Sequence, residues 1–409
     1  MKKLLLFVLP VLLLAGCQGN GVKEPKTMRV TSVEKEMINH CNDFSFSLLA
    51  QVAVNETREN IILSPLSASM LLGMMMNGAD GQTLAEMQNV TGFGKDYSME
   101  DINAYYRQLI DVLPALDTHT RLNIANGIWV REDFPVRDTF VQACKKNFDA
   151  QATNVPSFTD PKVLSDINSF AAQKTNNRIK KVIDERMVND NTVMTLLNAL
   201  YFKAFWADKF SKTDTRSQNF TTLGGKQIKT DMMFQEAEFN YSEGADYQLV
   251  ELPYKGDKYC ADIVLPAKEL DINKWLKTLN AEKWQQMLRH DRPEVSLSLP
   301  KFSISYNRSL NDDLKALGMK EAFDALNADF SRLSERSVFV SLINQYTFMQ
   351  VDEEGTEAAA VSVGIFAEKS MPSHKTFTAD RPFLFVIRER DHGTILFTAF
   401  IGHPEWQKE

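Results

Sequence analysis

Residues Gly355 to Phe366 constrain this chain more than any other stretch. The run is rich in Gly, Ala, Ser, Thr and Val and carries one charge, Glu357. In an extended strand, successive side chains point to opposite faces. One set is then Thr356, Ala358, Ala360, Ser362, Gly364 and Phe366, and the other is Glu357, Ala359, Val361, Val363 and Ile365. The first set is uncharged and stays small until its last member. It can face a packed core without steric or desolvation cost, while Glu357 stays on the outer face. A plain surface loop has no need of that alternation. The segment tolerates two states, an exposed loop and an inserted central strand.

The remainder of the 409 residues supports one large α+β unit, although length alone would allow two or three domains. Apolar spacing predicts helices over 42–55, from Ser64-Pro65 to Met75, after Thr83, over 101–113, over 140–148 and over 167–183. Residues 122–130 and the almost wholly apolar 192–202 read as strands, the latter buried at the centre of a sheet. From about Thr221 short strands alternate with turns, interrupted by a late helix at 310–317. Helices first and antiparallel strands later suggest α+β architecture.

The N-terminus carries Lys2 and Lys3, an apolar run from Leu4 to Leu14, and Leu14-Ala15-Gly16-Cys17. This pattern describes a signal peptide, too short for a permanent span, ending in what resembles a bacterial lipobox with Cys17 as the lipidated residue. The expected division is 1–16 signal peptide, 17–38 flexible tether and 39–409 folded domain. The expected location is the bacterial cell envelope, lipid-anchored at the outer membrane, facing the periplasm or the cell surface.

Several function classes are excluded or disfavoured. A net charge of -7 argues against nucleic acid as a partner, and a mean hydropathy of -0.27 against a polytopic membrane protein. No phosphate-binding glycine loop, zinc-protease helix motif or nucleophile elbow is present, and no two of the six histidines are four residues apart. No cofactor and no metal site is expected, and the chain is not read as an enzyme. Cys41, Cys144 and Cys260 lie far apart and read as buried small hydrophobes.

Motifs across 42–404 together resemble the serpin family. Ile62-Leu63-Ser64-Pro65-Leu66-Ser67 is similar to the start of its second helix. Asn198-Ala199-Leu200-Tyr201-Phe202-Lys203, with Trp206 and Phe210, is similar to a signature strand. Leu299-Pro300-Lys301-Phe302, Ala328-Asp329-Phe330-Ser331 and Arg381-Pro382-Phe383 follow in order. Most specific is the hinge, Glu353-Glu354-Gly355-Thr356-Glu357-Ala358-Ala359-Ala360. Ala204, Gln345 and Arg381 depart from the family's usual glycine, histidine and histidine.

The resemblance implies a single domain of three β-sheets surrounded by helices, with a reactive-centre loop at about 353–380. It also implies suicide inhibition of serine endopeptidases, with cysteine endopeptidases as further targets, in a covalent complex formed by a monomer. Counting from Gly355 places the cleaved bond at Lys369-Ser370, which favours trypsin-like targets, while Phe366 and Met371 offer alternative bonds to chymotrypsin-like or elastase-like enzymes. It further implies a central-sheet network of Ser64, Ser67, Asn198 and Gln345, and a tryptophan, Trp206, where the loop enters the sheet. The alternative is a non-inhibitory binding or carrier protein on the same scaffold, whose hinge would carry bulky or charged residues in place of Thr356, Ala358, Ala360 and Ser362.

Overall fold

A capping box starts the first helix. The Thr31 hydroxyl accepts from the Glu34 N–H, and the Glu34 carboxylate accepts from the Thr31 N–H. This computed structural model describes residues 25–356 and 374–407. In chain order it contains α1 (Ser32–Asn55), β1 (Asn60–Leu63), α2 (Pro65–Met76), α3 (Gly81–Val90), α4 (Met99–Val112), β2 (Arg121–Arg131), α5 (Asp138–Phe148), β3 (Gln151–Val155), α6 (Pro161–Lys174) and β4 (Met194–Phe205). Then follow β5 (Arg216–Thr221), β6 (Gln227–Glu238), β7 (Asn240–Glu243), β8 (Tyr247–Pro253), β9 (Tyr259–Pro266), α7 (Ile272–Leu276), α8 (Ala281–Met287), β10 (Glu294–Pro300), β11 (Phe302–Ser309) and α9 (Asn311–Leu317). The last strands are β12 (Asn344–Asp352), β13 (Gly355–Thr356), β14 (His374–Thr378), β15 (Phe383–Glu389) and β16 (Ile395–Ile401).

Three sheets result, in the orders β11-β12-β13-β4-β2-β3, β1-β16-β15-β9-β8-β7 and β14-β10-β6-β5. The first sheet is covered on both faces. Behind it lies α2, whose Met70, Leu72, Met74 and Met76 are fully buried because the helix sits between two sheets and not at a surface. In front lies α6 with the segment after it, where Trp129, Phe158, Ile167 and Ile183 form a second apolar cluster joined by Leu197. Burial of Cys41 and Cys144 pushes both thiols up to about 12, so they stay protonated and inert. Among the described residues no helix is long and apolar enough to cross a membrane.

Two sequence expectations shift. The tether expected to run to residue 38 is already part of the folded body from its first described residues. Lys26 N–H donates to Ala115 O, Met28 is buried, and α1 begins at Ser32, driven by its capping box and by Met37 and Ile38. The helix expected over 167–183 stops at Lys174. The Thr175 hydroxyl bonds back to Ala171 O, and Asn176 and Asn177 take positive φ, so apolar Val182 and Ile183 belong to an irregular segment laid across the sheet.

One ion cluster ties the end of α1 to β11. Glu56 accepts from Arg58 at 2.7 Å, from Tyr306 at 2.5 Å and from Arg308 at 3.2 Å. Burial alone would raise its carboxyl, but the bonds from Arg58 and Tyr306 outweigh that and hold it at about 2, against an ordinary 4.5. A depressed folded pKa contributes stability that is present above pH 4.5 and is lost as the pH falls towards 2. The denaturant midpoint of the wild type should therefore fall more steeply across that window than that of Glu56→Gln. Equal slopes would remove this cluster from the acid response.

Candidate functional site: the hinge and the seam below it

The chain enters the first sheet through a corner built of carboxylates and aromatic rings. Trp206 follows directly on β4, and its indole Nε1–H donates to Asp352 O at 2.9 Å. Its backbone N–H donates to Glu354 O, and Phe210 N–H to Glu353 O. The indole stacks on Tyr254 with centroids 4.7 Å apart and planes 6° off parallel. Glu353 and Glu354 are both buried, yet each has its own cations. Lys301 lies 3.0 Å from Glu353, where Thr215 also donates, and Lys212 lies 2.8 Å and Lys209 3.5 Å from Glu354. Burial works against charge on Glu353, but Lys301 and Thr215 prevail and keep its carboxyl below the usual range. Asp352 goes the other way, raised by burial, with Gln350 and the Glu354 N–H as its bonding partners.

This corner delivers Gly355 and Thr356 into the sheet as β13, antiparallel to both neighbours, between β12 and β4. Gly355 is required by close approach, since a Cβ there would lie 2.2 Å from Ala204 O and 2.7 Å from Phe205 Cα. Thr356 is buried, and its hydroxyl shares a 2.6 Å bond with the Tyr254 hydroxyl. Below Thr356, β4 and β12 do not take one another as backbone partners. Among the described residues only β13 stands between them. The seam is lined successively by clefts of about 20 Å³ at Leu200–Phe202 and Phe348, about 40 Å³ at Asn198 and Gln345, and about 180 Å³ at Met194 and Ile343.

Of the four residues expected to form the central network, three connect. Gln345 accepts from Ser64 N–H at 3.0 Å and donates to Ser64 O at 2.8 Å, and the Ser64 hydroxyl accepts from Ser67 N–H and donates to Leu396 O. The amide thus uses both its donor and its acceptor. Asn198 is separate. It donates to Asn126 Oδ1 at 2.7 Å, and its own buried Oδ1 accepts nothing. Glu357, Ala358, Ala359, Ala360, Phe366, Lys369, Ser370, Met371 and Cys17 lie outside the described residues. Sequence reasoning missed Tyr254, Lys209 and Lys212. No local pattern marks them, because they reach the hinge only through the pairing of distant strands.

A family model described as Serpin (serine protease inhibitor) matches residues 39–404. The chain belongs to the serpin family. It is 32% identical over 375 residues to neuroserpin of Homo sapiens, covering 89% of this chain and 90% of that protein. It is 30% identical over 416 residues to a serpin-like protein of Methanosarcina acetivorans, covering 100% and 97%. Among solved structures, the native state of the thermophilic serpin Tengpin superposes with a TM-score of 0.83 at 31% identity, covering 93% of this chain and 97% of that one. Thyroxine-binding globulin in complex with thyroxine superposes at 0.80 and 27% identity, covering 90% and 100%. The three sheets and single-domain architecture are those of this serpin group.

A triad of metal-capable groups lies elsewhere in the serpin body, with Glu251, Asp262 and His290 offering ligand atoms within 4.8 Å of one another. Arg388 already bonds Asp262 at 2.6 Å and also reaches Glu251, while Arg390 pairs with Glu251 at 2.9 Å. The guanidinium supplies the positive charge between the carboxylates, which makes the group a buried ion cluster of sheet β15-β9-β8.

Proposed function

We propose that this serpin inhibits serine endopeptidases of trypsin-like specificity as a suicide substrate, cleaved at Lys369-Ser370. The carrying observation is the hinge. Gly355 and Thr356 already occupy the first two positions of a strand between β12 and β4, and Thr356 faces the core. The residues that continue from it, Ala358, Ala360 and Ser362, are small and uncharged. The target's serine oxygen adds to the Lys369 carbonyl, the Ser370 amine leaves, and an ester joins the two proteins. Freed of its C-terminal tether, the loop continues the strand that β13 begins and carries the protease along the seam before the ester is hydrolysed. The serpin supplies no catalytic group. Cys17, as a lipidated residue, would hold this trap at a bacterial outer membrane, with the structured body beginning by Lys26.

Incubation with trypsin followed by denaturing electrophoresis tests the reading, with an SDS-stable adduct as the expected result. Lys369→Ala should reduce trypsin inhibition at least about tenfold, since an acidic primary pocket loses its cationic partner, while the melting temperature of the intact protein stays the same. Mass spectrometry of the released fragment should show Ser370 as its first residue. Cleavage without adduct would leave a carrier scaffold.

A further inference from the structure

Beside the hinge corner, away from the seam, lies a cavity of about 280 Å³ that the inhibitory reading does not use. The segment after β4 forms one wall of it through Trp206 and Phe210. Phe239, between β6 and β7, and Leu252 of β8 add further apolar floor. All four side chains are buried.

The charges above this floor are not all spent within the protein. Glu251 accepts from Asn240 at 2.7 Å and is paired by Arg388 and Arg390, and Arg390 also bonds Asp257. Glu238 is engaged as well. One anion and one cation of the lining are left over, Asp208 and Arg292. Their side chains take no hydrogen-bond or ion-pair partner among the described residues, and they do not pair with each other. An ammonium suits Asp208, a carboxylate suits the fork of Arg292, and an apolar side chain suits the floor between them. A phosphate ester suits the cavity less well, because Glu238, Glu251 and Asp257 surround it with negative charge.

We propose that this cavity binds a small zwitterion with an apolar side chain, a free amino acid or a dipeptide, its ammonium on Asp208 and its carboxylate on Arg292. The room is sufficient, since an apolar cavity of about 150 Å³ already admits a benzene ring. The wall the ligand touches is shared with the hinge. Trp206 donates through its indole to Asp352 O, and Phe210 through its N–H to Glu353 O, so Trp206 senses occupancy. The site does not depend on whether the loop traps a protease.

Calorimetric titration of the whole protein with L-leucine and glycyl-L-leucine tests the assignment. At least one of them should bind. Arg292→Ala and Asp208→Ala should each weaken that binding about fivefold or more, and both should leave the melting temperature unchanged because these side chains are exposed. N-acetyl-glycyl-L-leucine should be indifferent to Asp208→Ala, and glycyl-L-leucinamide to Arg292→Ala. The change in tryptophan emission on binding should vanish in Trp206→Phe. No binding at millimolar ligand overturns the site, as does binding that both charge variants leave intact. Blocked ligands that bind as well as glycyl-L-leucine would overturn the zwitterion. A protein that binds glycyl-L-leucine yet forms no adduct with trypsin keeps the site and loses only the inhibitory reading.

Discussion

Cutting the chain between Ile365 and Ser370 should raise its melting temperature by tens of degrees. Breaking a covalent bond normally lowers stability, because the folded state relaxes and the unfolded state gains freedom. Here the intact protein leaves a sheet unfinished. β13 contributes two residues between β12 and β4, and below them neither strand bonds the other. A strand continued from Glu357 to Phe366 in the register of β13 would pair with β4 along its length and with β12 as far as Val363, and each backbone hydrogen bond contributes a net ~1 kcal/mol. It would also place Val361, Val363, Ile365 and Phe366 in contact with two apolar clusters, at about 25 cal/mol per Å² of apolar surface removed from water. Those gains exceed the modest change in chain entropy on nicking. On the proposed inhibitory reading, the intact form would persist because opening the seam is slow, which would make its stability kinetic. Calorimetry before and after limited proteolysis measures the difference. A melting temperature that stays level or drops after the cut would leave the seam without its strand and the carrier reading in place.

If the proposed inhibition holds, Thr356→Glu should turn the trap into a substrate. Thr356 is buried beside Tyr254, whose hydroxyl it bonds at 2.6 Å. Burial pushes the Tyr254 phenol far above its ordinary range, so it is a neutral partner that cannot compensate a carboxylate. Nor is a cation at hand, since Lys212, Lys209 and Lys301 are already engaged by Glu354 and Glu353. An uncompensated buried charge costs at least ~2 kcal/mol. The intact protein can relieve that cost by letting Gly355 and Thr356 leave the sheet, whereas the inserted strand cannot, so insertion slows relative to deacylation. Trypsin should still cut at Lys369-Ser370, but the moles of inhibitor consumed per mole of trypsin silenced should rise about tenfold or more, with little adduct on gels. A variant that still traps trypsin at wild-type stoichiometry would detach trapping from insertion at this hinge.

The sequence alone determined whatever is local or periodic. Alternation between small and outward residues after Gly355 marks a strand with a core face, because the period of two is a property of extended backbone. Ser64-Pro65 starts α2, and the apolar run 192–202 falls within β4, because a capping hydroxyl and a run without charges work in any context. The inner face of the seam was legible in Asn198 and Gln345 only as a motif. Tertiary structure decided which of them connect, since Gln345 turns to Ser64 while Asn198 turns to Asn126, and that depends on which helix lies behind which strand. It also decided the partners of the hinge. Lys301 comes from the end of β10, Lys209 and Lys212 from beyond β4, and Tyr254 from beyond β8, all brought together by pairings that no local pattern encodes. The tether boundary moved for the same reason. Residues 25–31 have little periodicity of their own, and they join the body because α4 and Ala115 offer them a surface and a hydrogen-bond partner. Side-chain pattern is carried by the chain itself, whereas complementarity between distant segments exists only once the sheets have closed around the core.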